Sequence, residues 1–304
     1  MLFVLIREIR DPIFVLYICM VLQLTNIKTI CICGAGTMGS GITQVAARAG
    51  FDTIQFDVSE GMLEKSKTNI ATSLEKLAEK NKLSKEEKSL ALHRLSFTNR
   101  VQDCKADVII EAIIENKDAK VNLFRQLYSI NSSKTIFTTN TSSISINEIE
   151  EQTSIGANFA GMHFFNPAHS MKLVEIVYTD HTKKEIIETL VALAKQLGKI
   201  PVICKDAPGF IVNRVARPYY LEAMALSQKG TTIEKIDKVM ESTGFKMGPF
   251  KLMDLIGLDV NYSVSNIVWE ALGKPERLKP SIIQKEKIDK NEIGRKTGKG
   301  FYDY

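Results

Sequence analysis

The sequence of 304 residues has little cysteine, little histidine and little net charge. Its five cysteines form no Cys-x-x-Cys pair, so the sequence predicts neither a disulfide framework nor a metal site. An odd number of cysteines without a framework is typical of a reducing compartment, and we predict a cytoplasmic protein. The formal charge of +5 is evenly spread, which predicts no nucleic-acid partner.

The N-terminal segment contains two apolar runs, Leu2–Ile6 and Ile13–Leu22. The second run is too short to span a bilayer, so no stable membrane association is predicted. No small-residue cleavage site of a secretory signal follows it. We interpret residues 1–26 as an appendage, which an upstream choice of start codon would explain. A secretory signal and a membrane-facing helix are the alternatives.

The rest of the chain changes its pattern once. Strand-like apolar runs alternate with helical periodicity as far as Ile200–Cys204, and only helical patterns follow Pro208. This change predicts an α/β domain over residues 27–207 and an all-α domain over residues 208–304. Within the first domain, a break at 82–84 with a Ser84–Glu87 capping box predicts a helical hairpin insertion.

A glycine motif, Gly34-x-Gly36-x-x-Gly39, separates the first strand from the first helix, and an acid, Asp57, ends the second strand. This combination is typical of Rossmann-type dinucleotide-binding domains. A carboxylate at Asp57 would accept the ribose hydroxyls and repel a 2′-phosphate, which favours NAD over NADP as the cofactor. The alternative is a glycine turn that serves packing only. The predicted cofactor-binding residues of this motif are Gly34, Gly36, Thr37, Met38, Gly39 and Asp57.

A histidine and a carboxylate lie in two neighbouring strand-like runs, at His163 and Glu175. If the runs pair across the 167–170 turn, the two side chains can face each other. The carboxylate would then select the imidazole tautomer and leave the other ring nitrogen to act as a base. A core histidine with a satisfied hydrogen bond is the alternative interpretation.

Polar residues also follow two other strands and begin a helix. Glu111–Asn116 and Asn140–Ser143 come where parallel strands end, at the edge that binds ligands in such sheets. Asn213 interrupts an apolar helical pattern and needs a partner for its amide. The alternatives are a helix N-cap at Ser145, which precedes Glu148 in capping-box spacing, and a structural amide at Asn213.

Seven motifs occur in one order: GAGTMGSG, IIEAIIEN, NTSS, GMHFFNP…MKLVEIV, KDAPGFIVNR, MGPF and GRKTGKGFYDY. In this set and order the chain resembles L-3-hydroxyacyl-CoA dehydrogenases, including bacterial 3-hydroxybutyryl-CoA dehydrogenases, from about Ile27 to Tyr304. The resemblance implies NAD-dependent oxidation of (S)-3-hydroxyacyl-CoA and the reverse reduction, with short acyl chains favoured. It also implies a homodimer formed through the C-terminal domain.

The resemblance further implies site residues. His163 matches the catalytic base and Glu175 its paired carboxylate, while Ser142 and Asn213 match contacts to substrate oxygens. Positions near the NAD ribose and nicotinamide are matched by Glu115, Lys120 and Asn140. The implied acyl-CoA contacts are Ser73, Lys80, Ser142 and Asn166.

The chain departs from the family pattern at three places. Thr139 stands where serine is common, residues 168–170 replace a different turn sequence, and Arg217 stands where an aliphatic residue is common. None of these touches the four matched catalytic positions. Two functions remain as alternatives: a dehydrogenase for another small hydroxy acid on the same scaffold, and a non-catalytic NAD-binding protein.

Overall fold

The structure is a computed structural model that describes residues 27–304, and the appendage predicted at 1–26 lies outside them. The chain divides into two compact units, of which the first ends at Asp206 and the second spans Ala207–Tyr304. Elements are numbered in chain order within the described residues.

The first unit is built on one eight-stranded sheet in the order β3-β2-β1-β4-β5-β6-β7-β8. All neighbours are parallel except β6 and β7, which are antiparallel. The strands are β1 Thr29–Cys33, β2 Asp52–Phe56, β3 Leu95–Thr98, β4 Val108–Glu111, β5 Ile136–Thr139, β6 Phe159–Phe164, β7 Leu173–Tyr178 and β8 Ile200–Lys205.

Neighbouring parallel strands that follow each other in the chain are connected through helices, as parallel strands require, whereas the antiparallel strands β6 and β7 are joined by a turn. The helices are α1 Thr37–Arg48, α2 Glu60–Glu79, α3 Lys85–His93, α4 Lys117–Ile130, α5 Ile146–Thr153 and α6 Lys184–Gln196. The central strands β1, β4 and β6 are almost entirely buried, which explains their continuous apolar runs. Polar residues that directly follow β1, β4 and β5 therefore come together at the carboxyl edge of the sheet.

The predicted hairpin consists of α2 and α3. Ser84 accepts a hydrogen bond from the Glu87 backbone, and the Glu87 side chain accepts one from Ser84, so the capping box is confirmed. The strand that follows, β3, is absent from the sequence prediction. It lies at the edge of the sheet, where three of its four residues are half-buried and Ser96 is exposed. Its sequence therefore lacks the long apolar run that marked the other strands.

The second unit consists of helices α7 Val212–Gln228, α8 Ile233–Ser242, α9 Pro249–Ile256, α10 Leu258–Ala271 and α11 Ile282–Asp289. The helical pattern of residues 249–272 predicts one continuous helix, and this prediction is wrong. Gly257 has φ +102 and separates α9 from α10, a conformation that a side-chain-bearing residue adopts only at a cost.

Two buried aspartates hold the second unit together. Asp237 accepts hydrogen bonds from the backbone of Phe250 and the hydroxyl of Tyr302. Asp254 accepts from the backbone of Phe301 and of Tyr302. The terminal GKGFYDY segment is therefore fixed against α8 and α9 by carboxylates whose burial is compensated by several donors.

Candidate active site

The antiparallel pairing of β6 with β7 places His163 directly opposite Glu175. The imidazole Nδ1 lies 2.7 Å from Glu175 Oε2, and both side chains are buried. The Phe165 ring lies 4.6 Å from the imidazole, centroid to centroid. The predicted pairing of the two runs is thus confirmed, and an ionised Glu175 requires the proton of a neutral His163 to be on Nδ1. Nε2 is then the nitrogen that can accept a proton.

The glycine motif forms the turn between β1 and α1. A Cβ at Gly39 would overlap the carbonyl oxygen of Gly34, and Gly34 itself has φ +117 and faces the backbone of Ala112. In contrast, a Cβ at Gly36 would meet nothing within 4 Å. Gly34 and Gly39 are therefore required by packing, whereas Gly36 borders open space in front of the helix N-terminus.

A cavity of about 700 Å³ lies along this turn. Its lining includes Gly36, Met38, Asp57, Val58 and Ile114. The backbone N–H groups that begin α1 can bind phosphate, and Asp57 can accept ribose hydroxyls. The residues present thus fit a dinucleotide.

Asp57 is also part of the turn. Its Oδ2 accepts a hydrogen bond from the backbone N–H of Ala35 at 2.8 Å, and its Oδ1 accepts one from Ser59 at 2.9 Å. These bonds orient the carboxylate, and each oxygen retains a further lone pair for a hydroxyl group.

The loop after β5 is organised by Glu115. Its Oε1 accepts hydrogen bonds from Thr141 Oγ1 at 2.5 Å, the Ser142 backbone at 3.0 Å and Ser143 Oγ at 3.0 Å. Burial raises the pKa of Glu115, but the Lys120 charge and these donors outweigh it and hold the pKa below its usual value. An ionised Glu115 therefore holds the loop that presents Ser142.

Lys120 is fully buried between two carboxylates. Its Nζ lies 2.6 Å from Glu111 Oε1 and 3.2 Å from Glu115 Oε2. Burial raises the pKa of Glu111, which Lys120 opposes. The predicted NAD-binding residue Lys120 is thus already bonded to Glu111, a contact that the sequence did not indicate.

Asn140 connects the same loop to the histidine strand, because its Oδ1 accepts a hydrogen bond from the backbone N–H of Phe164 at 2.7 Å. The β4, β5 and β6 ends that carry Glu115, Ser142 and His163 are therefore linked directly.

Two adjoining cavities lie between α2 and the 166–169 turn, with volumes of about 220 and 380 Å³. Ser73 and His169 line both cavities, Asn166 lines the first, and Lys80 lines the second. The structure thus brings the three predicted acyl-CoA contacts Ser73, Lys80 and Asn166 to two adjoining cavities of the first unit. Asn213 lies in the second unit, in the first turn of α7.

Other residues that support the site carry no sequence signal of their own. Ser40 Oγ donates to Ser66 Oγ at 2.6 Å, and Ser66 donates to Gln55 at 2.7 Å. Gln55 Nε2 in turn donates to the carbonyl of Gly34 at 3.1 Å. In the sequence, the only sign of these three residues is that a polar residue stands at a position where the pattern of the strand or helix predicts an apolar one.

Among residues 27–304, no cluster of three or more His, Cys, Asp and Glu side chains is arranged to hold a metal ion. Within the same residues, no helix is both long enough and apolar enough to cross a membrane.

Two family models match the chain in succession. Residues 29–207 match the NAD-binding domain of 3-hydroxyacyl-CoA dehydrogenase, and residues 209–304 match the C-terminal domain. The chain belongs to the 3-hydroxyacyl-CoA dehydrogenase family. Its cofactor is NAD, it is an oxidoreductase of this family, and the predicted fold class is confirmed.

Individual relatives are similar over nearly the whole described chain. It is 41% identical to the 3-hydroxyadipyl-CoA dehydrogenase of Escherichia coli over 93% of this chain and 60% of the relative. It is 40% identical to the mitochondrial hydroxyacyl-coenzyme A dehydrogenase of Sus scrofa, covering 91% of each. The solved (S)-3-hydroxybutyryl-CoA dehydrogenase of Ralstonia eutropha has a TM-score of 0.88 and 38% identity, covering 92% of this chain and 99% of that one. The chain thus spans 60% of the Escherichia coli relative and nearly all of the other two.

Proposed function

We propose that the protein interconverts short-chain (S)-3-hydroxyacyl-CoA and 3-ketoacyl-CoA with NAD, and that His163 and Glu175 carry out the proton transfer. The observation that carries this proposal is the 2.7 Å contact between His163 Nδ1 and Glu175 Oε2, both buried, beside a cavity that fits a dinucleotide. Relatives that act on hydroxybutyryl and hydroxyadipyl thioesters support the thioester class.

In the proposed mechanism His163 is the base. Its Nε2 accepts the proton of the 3-hydroxyl group, and in the reductive direction the imidazolium returns that proton to the new alkoxide. Glu175 holds the ring by Nδ1 and stabilises the imidazolium, because a carboxylate at hydrogen-bond distance favours the charged form. NAD, when bound, supplies the hydride acceptor.

Ser142 and Asn213 are proposed to orient the substrate oxygens. A hydroxyl donor at Ser142 stabilises negative charge that develops on the 3-oxygen, and an amide donor at Asn213 does the same for the thioester carbonyl. Asn140, Glu115 and Lys120 are proposed to define the nicotinamide-ribose end of the cofactor site, the last of them through Glu115.

The coenzyme A moiety is proposed to bind along α2. Asn69, Ser73, Lys76 and Lys80 lie three or four residues apart and line one cavity, so they share a helix face. Ammonium and hydroxyl groups on that face suit the phosphates and amides of coenzyme A. A small free hydroxy acid would leave this surface without a role.

The proposal is tested by NADH oxidation with acetoacetyl-CoA, with longer 3-ketoacyl-CoAs and with free 3-keto acids. We expect the highest kcat/KM with the short thioester and little turnover of free acids. Lys80→Ala should raise KM for acetoacetyl-CoA by about tenfold with little change in kcat, whereas the exposed neighbour Lys82→Ala should change neither. Saturable turnover of free acids alone would favour the small hydroxy-acid dehydrogenase, and tight NADH binding without any turnover would favour a non-catalytic protein.

We further propose a cytoplasmic homodimer formed through the second unit. The support is the resemblance to a family of homodimers together with four exposed apolar side chains on α7, α9 and α10, namely Val215, Leu255, Ile256 and Val260, because burial of such side chains favours association. Light scattering should give twice the chain mass, and Val260→Asp should shift the measured mass towards that of the monomer.

The proposed cytoplasmic location is tested separately, by cell fractionation.

A further inference from the structure

Five residues at the base of the Ser142 loop form a closed ring of polar contacts: Glu111, Lys120, Glu115, Thr141 and Thr139. Lys120 joins the two glutamates, and Thr141 Oγ1 donates to Glu115. The Thr141 backbone N–H donates to Thr139 Oγ1 at 3.2 Å, and this hydroxyl donates to Glu111 Oε2 at 2.6 Å. The contacts therefore run from Glu111 to the loop by two routes, one through Lys120 and one through Thr139.

We propose that Glu111 and Thr139 are positioning residues for the dehydrogenase reaction and act through this ring on the loop that carries Ser142. The inference rests on the proposed function, since it deepens the role given there to Ser142. Neither residue is assigned a contact with substrate or cofactor.

The first argument is electrostatic. Glu111 and Lys120 are 0% and 1% exposed, and a buried charge is tolerated only when it is paired and hydrogen-bonded. Glu111 meets this condition through Lys120, Thr139 and the backbone N–H of Ile113 at 2.7 Å. The carboxylate thereby fixes the ammonium that in turn keeps Glu115 ionised. An ionised Glu115 can only accept hydrogen bonds, as the loop requires.

The second argument concerns the loop itself. Residues 140–145 form no helix or strand. The N–H of Asn140 donates to the backbone carbonyl of Glu111, whereas the N–H groups of residues 141–144 have side-chain acceptors. Ser142 N–H donates to Glu115, and Ser143 and Ile144 N–H groups donate to Thr141 Oγ1. The backbone around Ser142 is therefore held by Glu115 and Thr141, two members of the ring. A displacement of about 1 Å in such a group is enough to lower a rate about 100-fold.

The third argument is the chemistry of Thr139. Its hydroxyl is used twice, as a donor to Glu111 and as an acceptor from Thr141, and the side chain is fully buried. Serine keeps both bonds, whereas valine keeps the shape and removes both. The neighbouring Thr138 is equally buried, but its hydroxyl donates to the carbonyl of Ile109 and lies outside the ring.

These properties allow a matched test. Thr139→Val should lower kcat for acetoacetyl-CoA by tenfold or more and leave the Kd for NADH within twofold. Thr139→Ser should restore kcat to near the wild-type value. Thr138→Val, an identical change one residue away, should retain kcat. Melting temperatures of all three variants establish that the folded fraction is the same in each assay.

A double-mutant comparison identifies the route. If Glu111 acts through Ser142, then Glu111→Gln should lower kcat in the wild-type background but have little further effect in Ser142→Ala. The proposal would be overturned if the losses of kcat from Glu111→Gln and Ser142→Ala multiplied in the double mutant. It would also be overturned if Thr138→Val and Thr139→Val lost kcat equally, or if Thr139→Val kept the wild-type kcat. If Glu111→Gln does not fold, the Thr139 series decides alone. Wild-type protein without any thioester turnover would instead refute the proposed function.

Discussion

His163 Nδ1 and Glu175 Oε2 are 2.7 Å apart, at directly opposed positions of the antiparallel strands β6 and β7. A shift of one residue in the register would point one of these side chains to the opposite face of the sheet. The pair is therefore held by the backbone ladder of two buried strands, a more rigid support than a loop provides.

The proposed base can be tested by its removal. His163→Ala should lower kcat by about 10²–10⁴, the usual contribution of general acid–base catalysis, while the Kd for NADH stays near the wild-type value. Steady-state rates and NADH fluorescence titration measure the two quantities. His181→Ala is the matched control, since that exposed histidine also contacts a carboxylate, Glu150. A loss of NADH binding in His163→Ala would assign the histidine a structural role.

The carboxylate partner requires a separate test. Glu175→Gln keeps the side-chain volume but removes the charge that orients the imidazole, so we expect kcat to fall by at least tenfold with little change in KM. Glu150→Gln is the control, because Glu150 is a buried carboxylate that lies 3.4 Å from a different histidine, His181. A Glu175→Gln enzyme with nearly wild-type turnover would contradict the proposed pair.

Alanine substitutions at two glycines of the nucleotide turn should affect different properties, namely NADH binding at Gly36 and stability at Gly39. Gly36→Ala should fold with an unchanged melting temperature, since its Cβ meets nothing within 4 Å, but it should weaken NADH binding by tenfold or more because the methyl group enters the space for the pyrophosphate. Gly39→Ala should lower the melting temperature, since its Cβ would overlap Gly34. Calorimetry and NADH titration of both variants separate the effects. A wild-type Kd in Gly36→Ala would be evidence against the predicted cofactor position.

Lys199 makes the stability of the first unit depend on pH. Its Nζ donates to the carbonyls of Ala168 and Met171, and burial, together with Lys172 and Arg48, lowers its pKa to about 8. The unfolded chain has a higher lysine pKa, about 10.4, so between these values the unfolded state binds more protons and stability rises with pH.

The measurable quantity is the difference in free energy of unfolding between the wild-type protein and Lys199→Met. As the pH rises from 7.5 to 10.5, the free energy of unfolding of the wild type should increase by roughly 1–3 kcal/mol relative to that of Lys199→Met. Urea denaturation at several pH values measures it, with the exposed Lys195→Met as the control. A difference that is constant with pH would show that Lys199 has an ordinary pKa.

Local patterns in the sequence were sufficient for much of the fold. Several elements are encoded by interactions between residues that are near neighbours in the chain. Examples are the helix capped by Ser84 and Glu87, the apolar strands β1 and β4, and the turn with the three glycines. The break at Gly257 and the edge strand β3 were missed. In both cases tertiary contacts outweigh a weak local signal, since an isolated glycine is also compatible with a continuous helix.

The sequence by itself determined which chemical groups are present, the NAD-type turn, and that His163 and Glu175 lie in two neighbouring strand-like runs. These follow from patterns with a fixed period or spacing. Only the tertiary structure showed that Lys120 is bonded to Glu111 as well as to Glu115, and that Thr139 belongs to the same ring. Buried polar contacts join residues from different strands and helices, so their partners depend on how the elements pack and leave no periodic signal in the chain.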